Sequence, residues 1–268
     1  MKIVRFSDQQ GRIHYGAIDS PGSVREITGD VLGTYSLSER RIRPDKILAP
    51  LSPTAIFCIG LNYRRHAMET HARFPETPVL FMKNPAAVQN PGDAIELPRR
   101  LASDQVDYEC ELAIVIGRRA KNVAADKALD YVLGFTAAND VSARDWQIQR
   151  GGSQWCRGKT FDTFCPLGPV IVTADEIGNP NNLAIQTRLN GKTVQQSNTS
   201  DMIFSVEKII EFLSGSTTLL PGTVILTGTP EGVGMARQPP IWLQPGDKIE
   251  VEIENIGTLA NAVIAEPL

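Results

Sequence analysis

Val106-Asp107-Tyr108-Glu109-Cys110-Glu111-Leu112-Ala113-Ile114-Val115-Ile116 reads as one buried strand, stopped by Gly117. Side chains two apart in a strand share a face. Glu109 and Glu111 therefore point the same way, about 7 Å apart along the chain. Their face continues with Ala113 and Val115, and the opposite face carries Cys110, Leu112, Ile114 and Ile116. Both faces are apolar enough to be covered, yet one carries two acids. Like charges in a low-dielectric setting are costly unless a cation or a proton compensates. A divalent metal is the simplest compensation. A strand end emerging into solvent is the alternative, and the spacing leaves it open. A third acid, Asp140, closes the next strand-like run at Ala137-Ala138-Asn139-Asp140. Alone, Asp140 reads equally as a turn or cap residue; three carboxylates without a His or Cys partner would select a hard ion, Mg²⁺, Mn²⁺ or Ca²⁺.

The composition around this stretch excludes more than it names. Over 268 residues, 27 basic side chains against 30 acidic ones leave a net charge of −3. That balance argues against nucleic acid, because phosphate binding needs clustered Lys and Arg. No apolar run reaches the roughly 18 residues of a membrane span. The N-terminus lacks the pattern of a signal or transit segment. None of the four cysteines forms a Cys-x-x-Cys pair, and three scattered histidines make a poor zinc triad. The cysteines read as buried thiols in a reducing compartment, so the expected location is cytoplasmic. Acid–base and metal chemistry must then rest on carboxylates and lysines.

Short strands are expected at 2–6, 13–18 and 24–27, before Pro44, Pro50 and Pro53 mark a connector. This divides the chain into a small β-rich N-terminal region, 1–50, and a catalytic domain, 51–268. Further strands are expected at 55–60, 79–82, 132–138, 183–189, 193–196, 224–226 and 248–254. Asn190-Gly191 turns one hairpin. Pro169 demotes 167–172 to an edge strand. Helices are expected at 125–131 and 205–213, and 142–149 has helical character with Ser142 as its N-cap. The class is mixed and β-rich (α+β). Regular strand–helix alternation is missing, which disfavours a doubly wound sheet.

Three weaker constellations complete the reading. On a helical turn, His66 and Glu69 are i, i+3 neighbours. A carboxylate beside an imidazole orients it and raises its basicity; an incidental pair on a wet helix face would look the same. His71 lacks such a partner and reads as surface. Thr227-Gly228-Thr229-Pro230-Glu231-Gly232-Val233-Gly234 is glycine-rich without the Gly-Lys-Ser/Thr of a nucleotide loop. It either offers backbone N–H groups to an anion or is simply a tight turn. Lys159 is a lone cation entering an aromatic segment, where a surface lysine is the plain alternative.

In this order the motifs resemble the fumarylacetoacetate hydrolase family. The likeness rests on Gly60-Leu61-Asn62-Tyr63 with His66 and Glu69, on Asp107-Tyr108-Glu109-Cys110-Glu111-Leu112, and on Asn139-Asp140-Val141-Ser142-Ala143-Arg144-Asp145. It continues through Gly158-Lys159-Thr160-Phe161-Asp162-Thr163-Phe164-Cys165-Pro166 and Leu226 to Gly234. It spans roughly residues 50 to 265. Asp145-Trp146-Gln147 through Gly151, with Gln154-Trp155, is similar to the subgroup associated with oxaloacetate keto–enol tautomerisation. The resemblance implies a β-sandwich roll with short peripheral helices, a homodimer and a Mg²⁺ or Mn²⁺ site. It places Glu109, Glu111 and Asp140 on the metal positions. His66 and Glu69 fall on a water-activating dyad in a mobile lid, and Lys159 on the active-site lysine. Arg144, Gln147 and Thr229 fall near the substrate's carboxylate and carbonyl oxygens. The first activity it implies is C–C hydrolysis of 2-oxo and β-dicarbonyl acids of the acylpyruvate type, with the metal stabilising an enolate leaving group. The alternative is an oxaloacetate tautomerase or decarboxylase. Either way the partner is a small 2-oxo acid.

Overall fold

A computed structural model describes residues 1–20 and 22–267; Pro21 and Leu268 lie outside the described residues. Strand Cys110–Ile116 is buried at every position. It holds Val132–Asn139 on one side and Thr223–Leu226 on the other, both antiparallel. It is therefore interior to the large sheet. From one edge the order is Tyr35–Ile42, Ser23–Gly29, Ile13–Ser20, Lys2–Ser7, Cys165–Thr173, Val132–Asn139, Cys110–Ile116, Thr223–Leu226, Ala55–Gly60 and Val79–Lys83. A second sheet runs Lys192–Asn198, Ala184–Leu189, Lys248–Ile253, Gly257–Ala265, Ile95–Leu97. The result is a mixed, β-rich fold without a closed barrel, as the composition of elements implied. Among the described residues no helix is long and apolar enough to cross a membrane.

The alternation of Cys110–Ile116 decides which core each residue enters. Leu112 and Ile114 pack with Ile185, Val251 and Leu259 of the second sheet and with Ile209 and Ile210 of helix Val206–Ser214. Ala113 and Val115 face a separate core with Ile56, Ile171 and Leu226. The N-terminal strands belong to the same construction. Lys2–Ser7 pairs with Cys165–Thr173, and Val4 and Phe6 share the core of Leu112. Local signals held where they were chemical. Asn190 and Gly191 both take positive φ, 51° and 77°, as a two-residue hairpin requires. Ser205 caps helix Val206–Ser214 by accepting from Lys208 N–H.

Three expectations need correction. Residues 106–116 are not one strand. Val106–Asp107 pairs with Ser142–Ala143 in a ladder of its own, and the main strand begins at Cys110. Between them Glu109 N–H donates to Asn139 Oδ1 at 3.0 Å, and Asp140 N–H donates to Glu109 O at 2.8 Å. Ser142 is no N-cap. It lies in that short ladder, its hydroxyl donates to Asp140 O, and the following helix, Asp145–Arg150, is a π-helix. Cys165–Thr173 is no edge strand either: it lies between Lys2–Ser7 and Val132–Asn139. Pro169 is tolerated there because the ladder slips register between Phe135 and Ala137, where a missing N–H breaks no regular pair. The strand Tyr35–Ile42 was not anticipated.

Truncating Ile114 to Ala should cost about 2–5 kcal/mol, because a tightly packed site collapses only partly around the lost atoms. Chemical denaturation would measure it. A loss below about 1 kcal/mol would mean that the inter-sheet core does not hold strand Cys110–Ile116 in place.

Candidate active site

The break at Tyr108–Glu109 brings the three expected acids together. Each of Glu109, Glu111 and Asp140 offers a carboxylate oxygen within 4.8 Å of the others. All are buried, at 5%, 1% and 0% exposure, so the solvent-facing alternative does not apply. Two ammonium groups enter the cluster. Lys159 Nζ donates to Glu109 Oε2 at 2.7 Å and Asp140 Oδ2 at 2.8 Å. Lys83 Nζ donates to Asp140 Oδ1 at 2.5 Å and Val141 O at 3.1 Å. Lys159 is thus a buried member of the site rather than a surface lysine.

The electrostatics follow from this geometry. Burial alone would raise the Glu109 carboxyl, but the charges of Lys159 and Arg144 outweigh it and hold it down at about 2. Glu111 goes the other way. Burial, then the negative charges of Asp140 and Glu109, push its carboxyl well above the usual range. Among the described residues its one hydrogen bond is from Gly228 N–H, at 2.6 Å. Gly228 can make it because its φ is +100°, and a Cβ there would lie 2.7 Å from Asn62 Cβ. Burial would lower Lys159, but Asp140 and Glu109 raise it, so it stays an ammonium. Burial pushes the Cys110 thiol up to about 12, which makes it a poor nucleophile.

Four buried carboxylates, Asp107, Glu109, Glu111 and Asp140, thus face three buried cations, Lys83, Arg144 and Lys159. An all-oxygen donor set with surplus negative charge fits a hard divalent cation. Glu109, Glu111 and Asp140 would hold it.

His66, Arg144, Gln147 and Thr229 line one cavity with Glu109, Glu111 and Lys159, of about 220 Å³, and Glu69 stands behind His66. Its polar end carries His66, Glu109, Glu111, Arg144, Lys159 and Thr229. Gln147 also borders it, and Phe81, Ile148 and Trp155 supply an apolar wall. His66 Nδ1 lies 2.8 Å from Glu69 Oε1, and the Glu69 carboxylate also accepts from Gly232 N–H. Arg144 Nε donates to Asp107 Oδ2 at 2.9 Å, and its Nη1 reaches Gln147 Oε1 at 2.9 Å and Glu109 Oε1 at 2.7 Å. Its Nη2 is near Asp107 but misaligned, so a buried N–H lacks an acceptor among the described residues. His71 is exposed and outside the cavity, as expected.

Two buried charged groups escaped sequence reasoning. Lys83 shares a face with buried Phe81, but ending that strand at residue 82 hid it. Asp107 was read as part of a motif, not as a partner for Arg144 and for the backbone N–H groups of Gly234 and Met235.

A family model described as fumarylacetoacetate (FAA) hydrolase C-terminal matches residues 55–264. The chain belongs to the fumarylacetoacetate hydrolase family. Residues 1–50 match a separate model, Rv2993c-like, N-terminal. The chain is 50% identical over 218 residues to the protein named oxaloacetate tautomerase Fahd2a, mitochondrial, of Rattus norvegicus, covering 81% of this chain and 69% of that one. It is 48% identical over 219 residues to oxaloacetate tautomerase fahd2, mitochondrial, of Xenopus laevis, covering 81% and 68%. The crystal structure of 2-hydroxyhepta-2,4-diene-1,7-dioate isomerase from Mycobacterium marinum superposes with a TM-score of 0.85 at 39% identity, covering all of both chains. Fumarylacetoacetate hydrolase from psychrophilic Exiguobacterium antarcticum gives 0.85 at 37% identity, covering 99% and 100%. The chain is therefore an enzyme of this family.

The buried charges set a pH-dependent cost. Unfolded Glu111 ionises near the ordinary value, whereas folded Glu111 holds its proton to higher pH. Its burial therefore costs nothing in acid and progressively more as pH rises toward its folded pKa. In EDTA, Glu111→Gln should match the wild-type melting temperature near pH 5 and exceed it increasingly toward pH 8. The same variant should lose the stabilisation that Mg²⁺ gives the wild type. A wild-type advantage in EDTA at pH 8 would contradict this electrostatic assignment.

Proposed function

We propose that the protein is a Mg²⁺- or Mn²⁺-dependent oxaloacetate keto–enol tautomerase. The observation that carries this reading is the near-50% identity to proteins named oxaloacetate tautomerase, over 81% of the chain. It shifts the preference away from C–C hydrolysis, the first expectation from the motifs. The geometry is compatible with it, because moving a proton needs one base and a held enolate, not an ordered water.

Glu109, Glu111 and Asp140 would hold a hard cation, which would supply Lewis-acid stabilisation of negative charge on the 2-oxo group. The chain's own groups do the rest. The guanidinium of Arg144 and the hydroxyl of Thr229, both at the cavity wall, would bind anionic oxygens. Gln147 braces the guanidinium from the other side. Glu69 holds the His66 proton on Nδ1, leaving the Nε2 lone pair as a base. In ketonisation, His66 takes the enol O–H proton and returns one to C3; in the reverse direction it removes the C3 proton. Lys159, kept as an ammonium by its two carboxylates, favours the charged enolate over the neutral ketone.

A second reading is hydrolysis of an acylpyruvate, with the same dyad activating water. The similarity to a solved structure named fumarylacetoacetate hydrolase favours it. Several structural features suit the wider picture. The two family models support a division into residues 1–50 and a catalytic domain of 51–268. Exposed Leu80 and Met82 on the edge strand Val79–Lys83 support a homodimer. Four unpaired cysteines suit a reducing compartment such as the cytoplasm.

The test is one panel with purified protein and Mg²⁺, with and without chelator. It follows enol-oxaloacetate absorbance, acylpyruvate absorbance and pyruvate release. Chelator-sensitive ketonisation is expected to dominate. Faster acylpyruvate cleavage would return the hydrolase to first place, and pyruvate from oxaloacetate would indicate a decarboxylase. His66→Ala should slow ketonisation about 10²- to 10⁴-fold, the usual contribution of a positioned acid–base group. A change under threefold would remove His66 from the proton transfer.

A further inference from the structure

Gln195 lies on strand Lys192–Asn198 of the second sheet and is 1% exposed. The ladder with Ala184–Leu189 slips there: Thr187 pairs with Gln195, but Arg188 pairs with Thr193, which leaves Val194 as an extra residue. Such a bulge re-aims a side chain, and here the Gln195 amide goes inward beneath the glycine-rich loop. All four of its hydrogen-bonding positions are used. Oε1 accepts from Cys110 N–H at 3.0 Å and from Thr187 Oγ1 at 2.9 Å. Nε2 donates to Thr229 Oγ1 at 2.9 Å and to Pro230 O at 3.0 Å.

The partners fix which end of the amide is which. Cys110 N–H can only donate, so it must meet the oxygen. The Pro230 carbonyl can only accept, so it must meet the nitrogen. Thr229 Oγ1 consequently receives a hydrogen bond from Gln195. Among the described residues no other side-chain or backbone group bonds that hydroxyl. Its own hydrogen is left to point elsewhere, and Thr229 lines the cavity beside Glu111 and Arg144.

We propose that Gln195, which does not itself line the cavity, is the positioning residue that makes Thr229 a hydrogen-bond donor to a bound 2-oxo carboxylate. Gln195 stands in the other sheet and touches the backbone of Cys110, between the two metal-site glutamates. It therefore sets the distance between the donor and the carboxylate cluster as well as the donor's polarity. The inference rests on the proposed place of Thr229 at the substrate.

Oxalate, a 2-oxo-carboxylate mimic that undergoes no turnover, separates the two claims. Its binding is measured by titration calorimetry in saturating Mg²⁺, alongside KM and kcat for enol-oxaloacetate. Gln195→Met and Thr229→Val should each weaken oxalate and raise KM about tenfold or more, as expected for a lost hydrogen bond to a charged group. In Gln195→Met, kcat and Mg²⁺ affinity should stay within about threefold of wild type, well short of that loss. Thr229→Ser should keep wild-type binding. Adding Gln195→Met to Thr229→Val should cost nothing further. Additive losses, or a parallel loss of Mg²⁺ affinity, would overturn the proposal, because Gln195 would then act through the metal strand. If Gln195→Met does not fold, equal oxalate binding by Thr229→Val and Thr229→Ser overturns it, and loss in the valine variant alone supports it. Wild-type protein that binds oxalate in this Thr229-dependent way but does not ketonise oxaloacetate refutes the tautomerase and leaves the role of Gln195 standing.

Discussion

The ammonium of Lys159 bridges Glu109 and Asp140 at 2.7 and 2.8 Å, in a place with almost no access to water. Much of the structure follows from that contact. Two acids on neighbouring segments repel one another, and taking them out of water costs several kcal/mol each, in order of magnitude. The cation that offsets this arrives from helix Cys156–Lys159, well separated in sequence from both acids. Lys83 grips the other oxygen of Asp140 from an edge strand, and Arg144 grips Glu109. Removing one partner of such a buried pair typically costs about 3–5 kcal/mol, because the other charge is left uncompensated. The folded state therefore couples three distant segments through one small region of charge. Among the described residues Glu111 is left without a cation of its own, and its raised carboxyl is the mark of that shortage.

The glycine-rich loop is the mechanical counterpart of this charge cluster. Its backbone N–H groups reach three carboxylates: Gly228 to Glu111, Gly232 to Glu69, and Gly234 to Asp107. One loop thus registers the three-carboxylate cluster, the His66–Glu69 pair and the anchor of Arg144 against one another. Gly232 takes φ +96°, and a Cβ there would lie 2.2 Å from Val194 O, the bulge residue beside Gln195. The loop binds the enzyme's own acids, with Thr229 as its side chain toward the cavity. Its role lies between the anion cradle and the simple turn that the glycine pattern allowed.

The legible parts of the fold were those with local chemistry. The hairpin at Asn190-Gly191, the cap at Ser205 and the apolar alternation of 110–116 each depend on a few adjacent residues. Pro169 misled because a proline is judged by the ladder it interrupts, and the register slip that accommodates it belongs to the neighbouring strand. The break before Cys110 was hidden for the same reason. Nothing within 106–116 states that Asp107 pairs with Ser142 while Cys110 pairs with Asn139. Lys83 and Gln195 were invisible because a lysine or glutamine in a strand looks the same facing water or facing a buried partner.

By itself the sequence determined the residue types available: an oxygen-rich, thiol-poor and histidine-poor inventory that suits a hard ion, and a family likeness that ordered those residues. It also determined which side chains of 110–116 share a face, because side-chain alternation is a local property of the strand. Only the tertiary structure decided that Glu109, Glu111 and Asp140 converge within 4.8 Å, that Lys83 and Lys159 rather than solvent answer their charge, and that the Thr229 hydroxyl accepts from Gln195. Those facts depend on long-range pairing and on which buried group finds which partner. Burial and hydrogen-bond satisfaction are settled by packing across the whole chain, not by the spacing of residues along it.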